Sequence, residues 1–502
     1  KMIKFINIFS KKIVLFFFGV FTLLYVIGNI FFTVRMENEL ISNLVSFNNG
    51  ITIVSILFLF VLLFLIYYLI KKDFFHIKDK YLLSIFLLVS FVVGIAWIFV
   101  NDIELREIDD AYNCFRAAKN IAIGNLAPLS YKSYISVYPN NMGLVTYLFI
   151  HIKLFGVEKA LYSIRIVNLI FVLIGYFALY RITNNIFNNR LINCVLVLLM
   201  FGSMQFAFYS FFVYGNCLSY TMALLSVMFL LDYFKNTKIF NLIFSSLFII
   251  CSISIKENSL IILIAEAILL ILYVINTKKI VVLFVLLLTL LGTYGGTSGL
   301  QKFWGNRADI DYGDTKLPTI CWFAYGLNYD QRRPAGYFNE FEVYHVENGY
   351  MPEFTEKRAQ TFIDGVLENF KEKPNVALRF YSQKFLSSWA NPQYETFDQF
   401  RELNNNNFVK NVVGGKINDV LNIFWDGVSS VIALGLFAFM IKKRKCLNLY
   451  SMIGMIIVIG GFLFHTLWEV KAIYLYQYFM YLLPYAARGL VSLFDKKDNH
   501  VV

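Results

Sequence analysis

The sequence predicts an all-α polytopic membrane protein with about twelve transmembrane helices. Of its 502 residues, 58% are hydrophobic and 16% are charged, whereas a typical soluble domain carries about 25% charged residues. One soluble core cannot bury so large an apolar fraction. Apolar segments of about 18 residues or more, the length that crosses a bilayer as a helix, recur along the chain. They are 12–34, 51–70, 81–100, 162–182, 191–212, 214–234, 239–255, 258–275, 280–297, 421–441, 447–467 and 470–490.

The charged loops between these segments predict the orientation of the chain. Lys and Arg concentrate in short loops at 71–80, 180–190, 235–238, 276–279 and 442–445. Such loops mark the cytoplasmic side, and twelve spans that start from a cytoplasmic N-terminus place all of them inside. We therefore expect a multi-pass plasma-membrane protein, of bacterial composition, with both termini in the cytoplasm. Because these loops account for the net charge of +12, nucleic acid is not expected as a partner.

One apolar segment, 142–156, is short and contains His151 and Lys153. Counting it as a span would reverse the side of every later basic loop. We therefore predict a helix that lies in the membrane interface or dips into the bundle. A kinked short span remains the alternative.

Two long segments then face outward and divide the chain. The predicted organisation is N-terminal transmembrane helices at 1–100, an outer loop with juxtamembrane helices and an acidic pair at 101–161, a transmembrane core at 162–297, a small α-rich extracytoplasmic domain at 298–420 and C-terminal transmembrane helices at 421–502. Cys114 and Cys321 fall in the two outer segments, which leaves a disulfide between them open.

The acidic pair, Asp109 and Asp110, stands at the start of a predicted helix. From Ala111 to Ile123 apolar residues recur at three- and four-residue spacing, which is typical of an amphipathic helix. A carboxylate pair beside a membrane bundle is costly unless it does chemistry or binds a ligand. The same residues can also cap the helix N-terminus. Both interpretations, a general base and a helix cap, stay open at this point.

Other types of site leave no mark on the sequence. There is no glycine-rich phosphate-binding loop, and no Cys or His cluster has metal-ligand spacing. An enzyme built on this chain would therefore use a donor other than a nucleotide held in a Rossmann-type site.

A series of short motifs follows the acidic pair in order. Gly124 ends the predicted helix, Tyr138, Pro139 and Gly143 open the next one, and later motifs are Leu154 to Gly156, Arg165, Tyr180 with Arg181, Lys256 to Asn258, and Glu469 with Lys471. In this order the chain resembles the GT-C superfamily of polytopic membrane glycosyltransferases, close to the protein mannosyltransferase and aminoarabinose transferase branch (glycosyltransferase family 39-like). The resemblance is clearest over about residues 100–300.

The resemblance implies a GT-C-like fold and an inverting glycosyltransferase. Such enzymes move a sugar from a polyprenyl-phosphate donor to a cell-envelope acceptor, which is a glycopolymer, teichoic acid, lipid or protein, on the outer face of the membrane. A carboxylate must take the acceptor proton, and the resemblance assigns this to Asp109, with Asp110 as second candidate or orienting partner. Relatives often have Asp-Glu at this position, so the choice between the two carboxylates is open. No cofactor is expected, and the use of a divalent metal stays open.

The remaining site residues follow from the same resemblance. Cations are needed for the donor phosphate, and the candidates are Lys256, Arg116, Lys119, Lys471, Arg332 and Arg333. The expected substrate-binding residues are Tyr138, Glu257, Trp322, Tyr325, Glu469 and Tyr474. Tyr474 stands where many relatives carry an Arg-Tyr pair, so no phosphate-binding Arg is carried over to that position.

Two rival functions share parts of this pattern. A transporter of lipid-linked saccharides would show charges inside several spans and matching halves, and the predicted spans are almost free of ionisable residues. A lipid-linked polysaccharide polymerase or ligase would use the same lipid on the same face, and would depend on outward Arg and His residues more than on an Asp pair.

Overall fold

The structure, a computed structural model, describes residues 2–35, 44–73, 78–101, 104–105, 107, 109–329, 334–337, 340–397, 406–442, 444 and 447–495. It is about 82% helical. Within these ranges, 9 helices are long and apolar enough to cross a membrane. The predicted class, an all-α multi-pass membrane protein, is therefore confirmed. The predicted residues Arg332 and Arg333 lie outside the described ranges.

The helices follow one another along the chain with mostly short connections. The N-terminal helices are α1 (Met2–Phe31), α2 (Gly50–Lys71) and α3 (Asp79–Val100), and the next three are α4 (Asp110–Ala122), α5 (Tyr134–Val137) and α6 (Met142–Phe155). The central helices are α7 (Ala160–Phe187), α8 (Arg190–Gly202), α9 (Gln205–Phe208), α10 (Asn216–Asn236), α11 (Ile239–Ile255), α12 (Leu260–Thr277) and α13 (Val281–Tyr294). Then come α14 (Leu300–Ala308), α15 (Ile320–Gly326), α16 (Phe341–Glu347), α17 (Pro352–Glu372), α18 (Pro374–Trp389), α19 (Asn407–Gly414), α20 (Lys416–Lys442), α21 (Ile453–Leu467), α22 (Ala472–Phe479) and α23 (Leu483–Phe494).

Three of the twelve predicted spans are not single long helices. The segment predicted at 191–212 is a bent pair, α8 with Gln205–Phe211, at an angle of 49°. Helix α11 has 17 residues, and the segment predicted at 470–490 is split into α22 and α23 by a 3-10 turn. The count of twelve spans therefore stays a prediction.

A short β-hairpin follows α1, which the sequence pattern did not predict. Strands β1 (Phe32–Arg35) and β2 (Leu44–Phe47) pair antiparallel, with Phe32 opposite Phe47. The Thr33 hydroxyl donates a hydrogen bond of 2.7 Å to the buried Asp426 of α20. This contact ties the hairpin to the C-terminal part of the bundle.

The segment predicted as a separate domain at 298–420 begins inside a helix that continues from the bundle. Helix α13 passes through a π-helical turn, Gly295–Gly299, into α14. The helix therefore extends beyond the predicted boundary at 297, to Ala308. Helices α17 and α18 account for the helix-patterned part of this segment, and their apolar side chains share a core with α15 and α16.

Helices α4 and α6 pack on each other in the first outer segment. The buried positions of α4 include Ala111, Cys114, Ala118 and Ile121, as the predicted amphipathic spacing requires. Of these, Cys114, Ala118 and Ile121 belong to an apolar cluster that includes residues of α6. Helix α6 has 14 residues, short of a full span, and its place in the membrane interface stays a prediction. Its Gly143 lies against α11, where a Cβ would stand 1.7 Å from the Ser254 carbonyl oxygen.

The two outer cysteines are not joined. Cys114 and Cys321 are both free and buried, so the disulfide left open by the sequence does not form in this structure.

Candidate functional site

A polar turn between α11 and α12 places Lys256 at the end of the bundle where α4 lies. Lys256 is the C-cap of α11 and is followed by a 3-10 turn, Glu257–Ser259. Below it, the hydroxyls of Ser219, Ser252 and Ser259 form a buried hydrogen-bonded network with distances of 2.8–3.1 Å. These bonds satisfy polar groups within an apolar bundle and so fix the turn.

The ammonium group of Lys256 lies over an aromatic ring. Its Nζ is 3.0 Å from the centroid of the Tyr214 ring. Burial is the main cause that lowers the pKa of Lys256 to about 7; the charge of Lys471 acts in the same direction, and the Asp110 carboxylate opposes the shift. The amine therefore changes protonation state near neutral pH.

Asp110 is the first residue of α4 and is exposed, while Asp109 is the N-cap and is half-buried. The Asp109 side chain makes no capping hydrogen bond, which does not fit the helix-cap interpretation for this residue. The charge of Asp110 acts on Lys256, Glu342 and Glu469. Asp110 therefore lies at the meeting point of several charged groups from distant parts of the chain.

Two tyrosines from the α5 segment face the same carboxylate. Burial raises the pKa of Tyr134 well above its ordinary value, and the Asp110 carboxylate raises it further through its charge and a side-chain hydrogen bond. The Tyr134 hydroxyl also accepts a hydrogen bond of 3.1 Å from Asn141 Nδ2. The rings of Tyr134 and Tyr138 are 5.1 Å apart.

Glu342 of α16 approaches the site from the 298–420 segment. Burial raises the pKa of its carboxyl group, the charge of Asp110 adds to the shift, and a side-chain hydrogen bond with Tyr138 opposes it. A carboxyl group with a raised pKa near a second carboxylate can hold a proton closer to neutral pH than an isolated one.

The segment that links α21 to α22 supplies Glu469 and Lys471. Its backbone is fixed by two hydrogen bonds of 3.0 Å, from Glu469 N to Trp322 O and from Val470 N to Gly336 O. The Lys471 Nζ lies 4.6 Å from the Tyr337 ring centroid. Burial raises the pKa of Glu469, whereas the charge of Lys471 lowers it.

A buried lysine holds this linking segment against the outer helices. Lys384 of α18 is 2% exposed, and its Nζ donates hydrogen bonds to Gly326 O at 2.6 Å, Thr466 O at 3.0 Å and Trp468 O at 2.9 Å. Burial lowers its pKa to about 7, and the charge of Glu469 opposes this shift. The protonated amine has three N–H donors, one for each of these carbonyls, and through them Lys384 joins α15, α18 and the end of α21.

These contacts define a charged cluster of Asp110, Lys256, Glu342, Glu469 and Lys471. Four residues predicted from the sequence lie around this cluster. The Tyr138 side chain forms a hydrogen bond with Glu342, and the Trp322 carbonyl accepts one from the Glu469 backbone. The charges of Glu342 and Glu469 act on the pKa of Tyr325, and the charges of Lys471, Glu469 and Asp110 act on the pKa of Tyr474.

Other predicted residues lie away from the charged cluster or beside it. Arg116 is exposed on α4, where it contacts Asn113 at 3.3 Å and the Tyr112 ring at 5.5 Å. Lys119 is exposed on the same helix, and Glu257 is exposed next to Lys256.

The sequence pattern did not indicate four residues of the site, namely Glu342, Tyr134, Tyr214 and Lys384. Each stands alone between unremarkable neighbours, and its role depends on contacts with residues far away in the chain. The helical spacing of Ala377, Phe380 and Tyr381 before Lys384 could have placed the lysine on the buried face of its helix, but could not have identified its three carbonyl partners.

A lateral groove opens beside the Lys256 turn. The cavity, of about 710 Å³, lies between α6 and the π-helical turn, with Thr146, Phe149, Ile150, Gly295, Gly299, Leu300, Phe303, Trp304 and Arg307 in its walls. At Gly296 a Cβ would come 2.1 Å from Ser254 Oγ, so the π-helical turn packs directly on the residue two positions before Lys256. The groove therefore lies next to the end of α11 that carries Lys256, and its lining residues are separate from those of the charged cluster.

A metal site is not formed by the side chains that the structure describes. Among them, no group of three or more His, Cys, Asp or Glu residues is placed to hold a metal ion.

Comparison of the chain with protein-family models, with curated proteins and with solved structures found no match.

Proposed function

We propose that this protein is an inverting membrane glycosyltransferase of the GT-C type. In this proposal it moves a sugar from a polyprenyl-phosphate donor to a cell-envelope acceptor, on the extracytoplasmic face of the plasma membrane. The observation that carries the proposal is the charged cluster: the charge of Asp110, an exposed carboxylate, acts on Lys256 and Glu469, and the charge of Lys471 acts on the same two residues. These are the groups that an anionic lipid-linked donor and a hydroxyl acceptor require.

In the proposed reaction Asp110 is the general base. The acceptor hydroxyl oxygen attacks the anomeric carbon and forms the new glycosidic bond, while the bond from that carbon to the phosphate oxygen breaks. The acceptor proton goes to the Asp110 carboxylate, and polyprenyl phosphate leaves with the bonding electron pair. Attack from the side opposite the phosphate inverts the anomeric centre. A positioned carboxylate contributes about 10²–10⁴-fold to such a step.

Asp110 replaces Asp109 as the preferred base because of its surroundings. Asp110 is exposed, so an acceptor can reach it, and its charge acts on Lys256, Glu342 and Glu469. Asp109 is half-buried at the N-cap and stays the second candidate for the base.

Lys256 and Lys471 are the proposed phosphate ligands. The donor phosphate carries one negative charge and gains a second as the sugar leaves. Cations aimed at the position where charge develops lower the barrier, and they do so most strongly in a site that excludes water. The influence of the Lys471 charge on the pKa of Lys256 supports a shared anion between them.

The lateral groove is the proposed place of the first isoprene units. Its walls are mostly apolar and aromatic, and it lies beside the Lys256 turn. A lipid tail in this groove would place its phosphate at the charged cluster. The acceptor would then enter from the side of Trp322 and Tyr325, whose aromatic faces suit a sugar or another ring.

The proposal is tested by transfer from a panel of synthetic short-chain polyprenyl-phosphate sugars, incubated with the purified full-length protein in lipid vesicles. Release of polyprenyl phosphate is the readout, and the panel also identifies the sugar. We expect turnover in the wild type and none above background in the Asp109→Asn/Asp110→Asn double variant. Full turnover in a folded double variant would refute the mechanism.

A second pair of variants tests the phosphate ligands. Lys256→Gln/Lys471→Gln should raise KM for the donor at least tenfold. The matched control, Arg116→Gln/Lys119→Gln, removes the same charge from the exposed face of α4 and should leave KM unchanged. Equal effects of the two double variants would show that the net charge of the surface, and not this site, attracts the donor.

A further inference from the structure

A second cavity lies at the opposite end of the bundle from the charged cluster. Helix α12 begins four residues after Lys256 and has 18 residues, so its far end is about 27 Å away at ~1.5 Å per residue. Asn276, near that far end, lines a cavity of about 790 Å³ together with the first turns of α1 and the residues 447–450.

The lining of this cavity is basic and polar. The ten described residues that line it include Lys4, Lys11, Asn7 and Asn276, and none of the ten is acidic. The side-chain amides of Asn7 and Asn276 bond each other at 2.7 and 3.2 Å, and Lys11 Nζ donates to Leu447 O. The amide pair holds α1 against α12 and keeps the two amines at one opening.

The same cavity borders the lipid-facing surface of α1. Ile3, Ile8 and Leu449 are part of its lining. Next to them, Phe5 is 65% exposed and Phe9 is 54% exposed, and their rings stack at 5.9 Å. Apolar side chains so exposed on a membrane helix contact acyl chains. The site therefore joins two amines to a lipid-contacting surface.

We propose that this cavity binds the phosphate group of an acidic phospholipid. Lys4 and Lys11 bind the phosphate oxygens, Asn448 and the Tyr450 hydroxyl face the polar headgroup, and the acyl chains follow Ile8 along α1. Basic pockets between helices at a membrane surface recognise anionic headgroups in this way. A free phosphate ion would use the amines but not the apolar edge, which is why the lipid is the assigned ligand. Lipid binding at this cavity does not depend on glycosyl transfer.

The test uses the full-length protein, delipidated in a non-ionic detergent, with dioctanoyl phosphatidylglycerol as the probe. Bound lipid is counted by native mass spectrometry, and the shift of the unfolding midpoint is measured over a concentration series. Saturable binding of one molecule is expected, with at least tenfold weaker binding of dioctanoyl phosphatidylcholine. Equal affinity for the two lipids would overturn the proposal.

Variants locate the binding in this cavity. If each lysine contributes about fivefold, a magnitude typical of basic residues at anionic membranes, Lys4→Gln/Lys11→Gln should weaken phosphatidylglycerol binding about 25-fold. Lys4→Gln alone, in which the Lys11 bond to Leu447 is kept, should weaken it about fivefold. The charge-matched control Lys12→Gln/Lys80→Gln changes two exposed lysines outside the cavity and should bind as the wild type does.

Two results would contradict the assignment. Unchanged affinity in both cavity variants would place the lipid elsewhere. The second result concerns inorganic phosphate. If it raises the unfolding midpoint of the wild type as much as the lipid does, and does not raise that of the cavity variants, free phosphate is the ligand instead.

Discussion

Replacing Lys384 by Met should destabilise the protein and loosen the segment that presents Glu469 and Lys471. Methionine is nearly as long as lysine, so it fills the space that the Lys384 side chain occupies against Gly336. The contact there is close: a Cβ at Gly336, which has φ +78°, would stand 2.4 Å from the Lys384 Cε. What the substitution removes is the donor group alone. The carbonyls of Gly326, Thr466 and Trp468 then lose their partner.

The expected magnitude follows from these three bonds. A buried carbonyl left without a donor costs about 1–3 kcal/mol, and partial relaxation makes the sum smaller than three independent losses. We therefore expect a loss of about 3–5 kcal/mol, the size seen when one partner of a buried charged interaction is removed. With an unfolding entropy of about 2.1 cal/mol/K per residue over 502 residues, this lowers the midpoint by at least about 3 °C.

The assay is thermal unfolding in detergent, followed by the fluorescence of the six tryptophans, which include Trp468, whose carbonyl accepts a bond from the lysine. Lys371→Met, at an exposed position of α17, is the matched control and should unfold at the wild-type midpoint. An unfolding midpoint for Lys384→Met within 1 °C of the control would refute the structural role given to the three bonds.

Two further predictions concern the turn at Lys256 and the packing of α6. Since the pKa of Lys256 is about 7, kcat/KM for the donor should fall about tenfold from pH 6 to 8 as the amine loses its proton. Lys256→Arg should abolish that fall because arginine stays protonated, and a variant with the wild-type pH profile would contradict this assignment. Gly143→Ala should reduce the yield of folded protein, since the new Cβ would clash with the Ser254 carbonyl. Gly299→Ala is the control, because a Cβ at Gly299 has no neighbouring atom within 4 Å. Equal yields of the two variants would contradict the packing of α6 on α11.

The class of the protein and helix α4 could be predicted from local patterns. Apolar length is a property of consecutive residues, so the long helices were recognisable, and the three- and four-residue spacing after Asp110 marked α4. A span that bends, as the pair of α8 and Gln205–Phe211 does at 49°, looks like a single segment in the sequence because the bend depends on packing. The hairpin was not predicted because the pairing of β1 with β2 is also a contact between residues that are apart in the sequence.

The charged cluster was only partly recognisable. Asp110, Lys256, Glu469 and Lys471 stood out because they are charges at the ends of apolar segments, where a charge requires a partner. Glu342 did not, since it lies in a polar segment where acidic residues are common. Its meeting with Tyr138 and Asp110 is a tertiary contact across more than 200 residues, which no local pattern encodes.

The most direct test of the proposed mechanism compares donor binding with turnover in Asp110→Asn. The asparagine keeps the size of the side chain but cannot take the acceptor proton. We predict that the transfer rate falls about 10²–10⁴-fold while the Kd for a polyprenyl-phosphate sugar changes less than twofold. A folded Asp110→Asn protein that transfers sugar at the wild-type rate would contradict the role of Asp110 as the base.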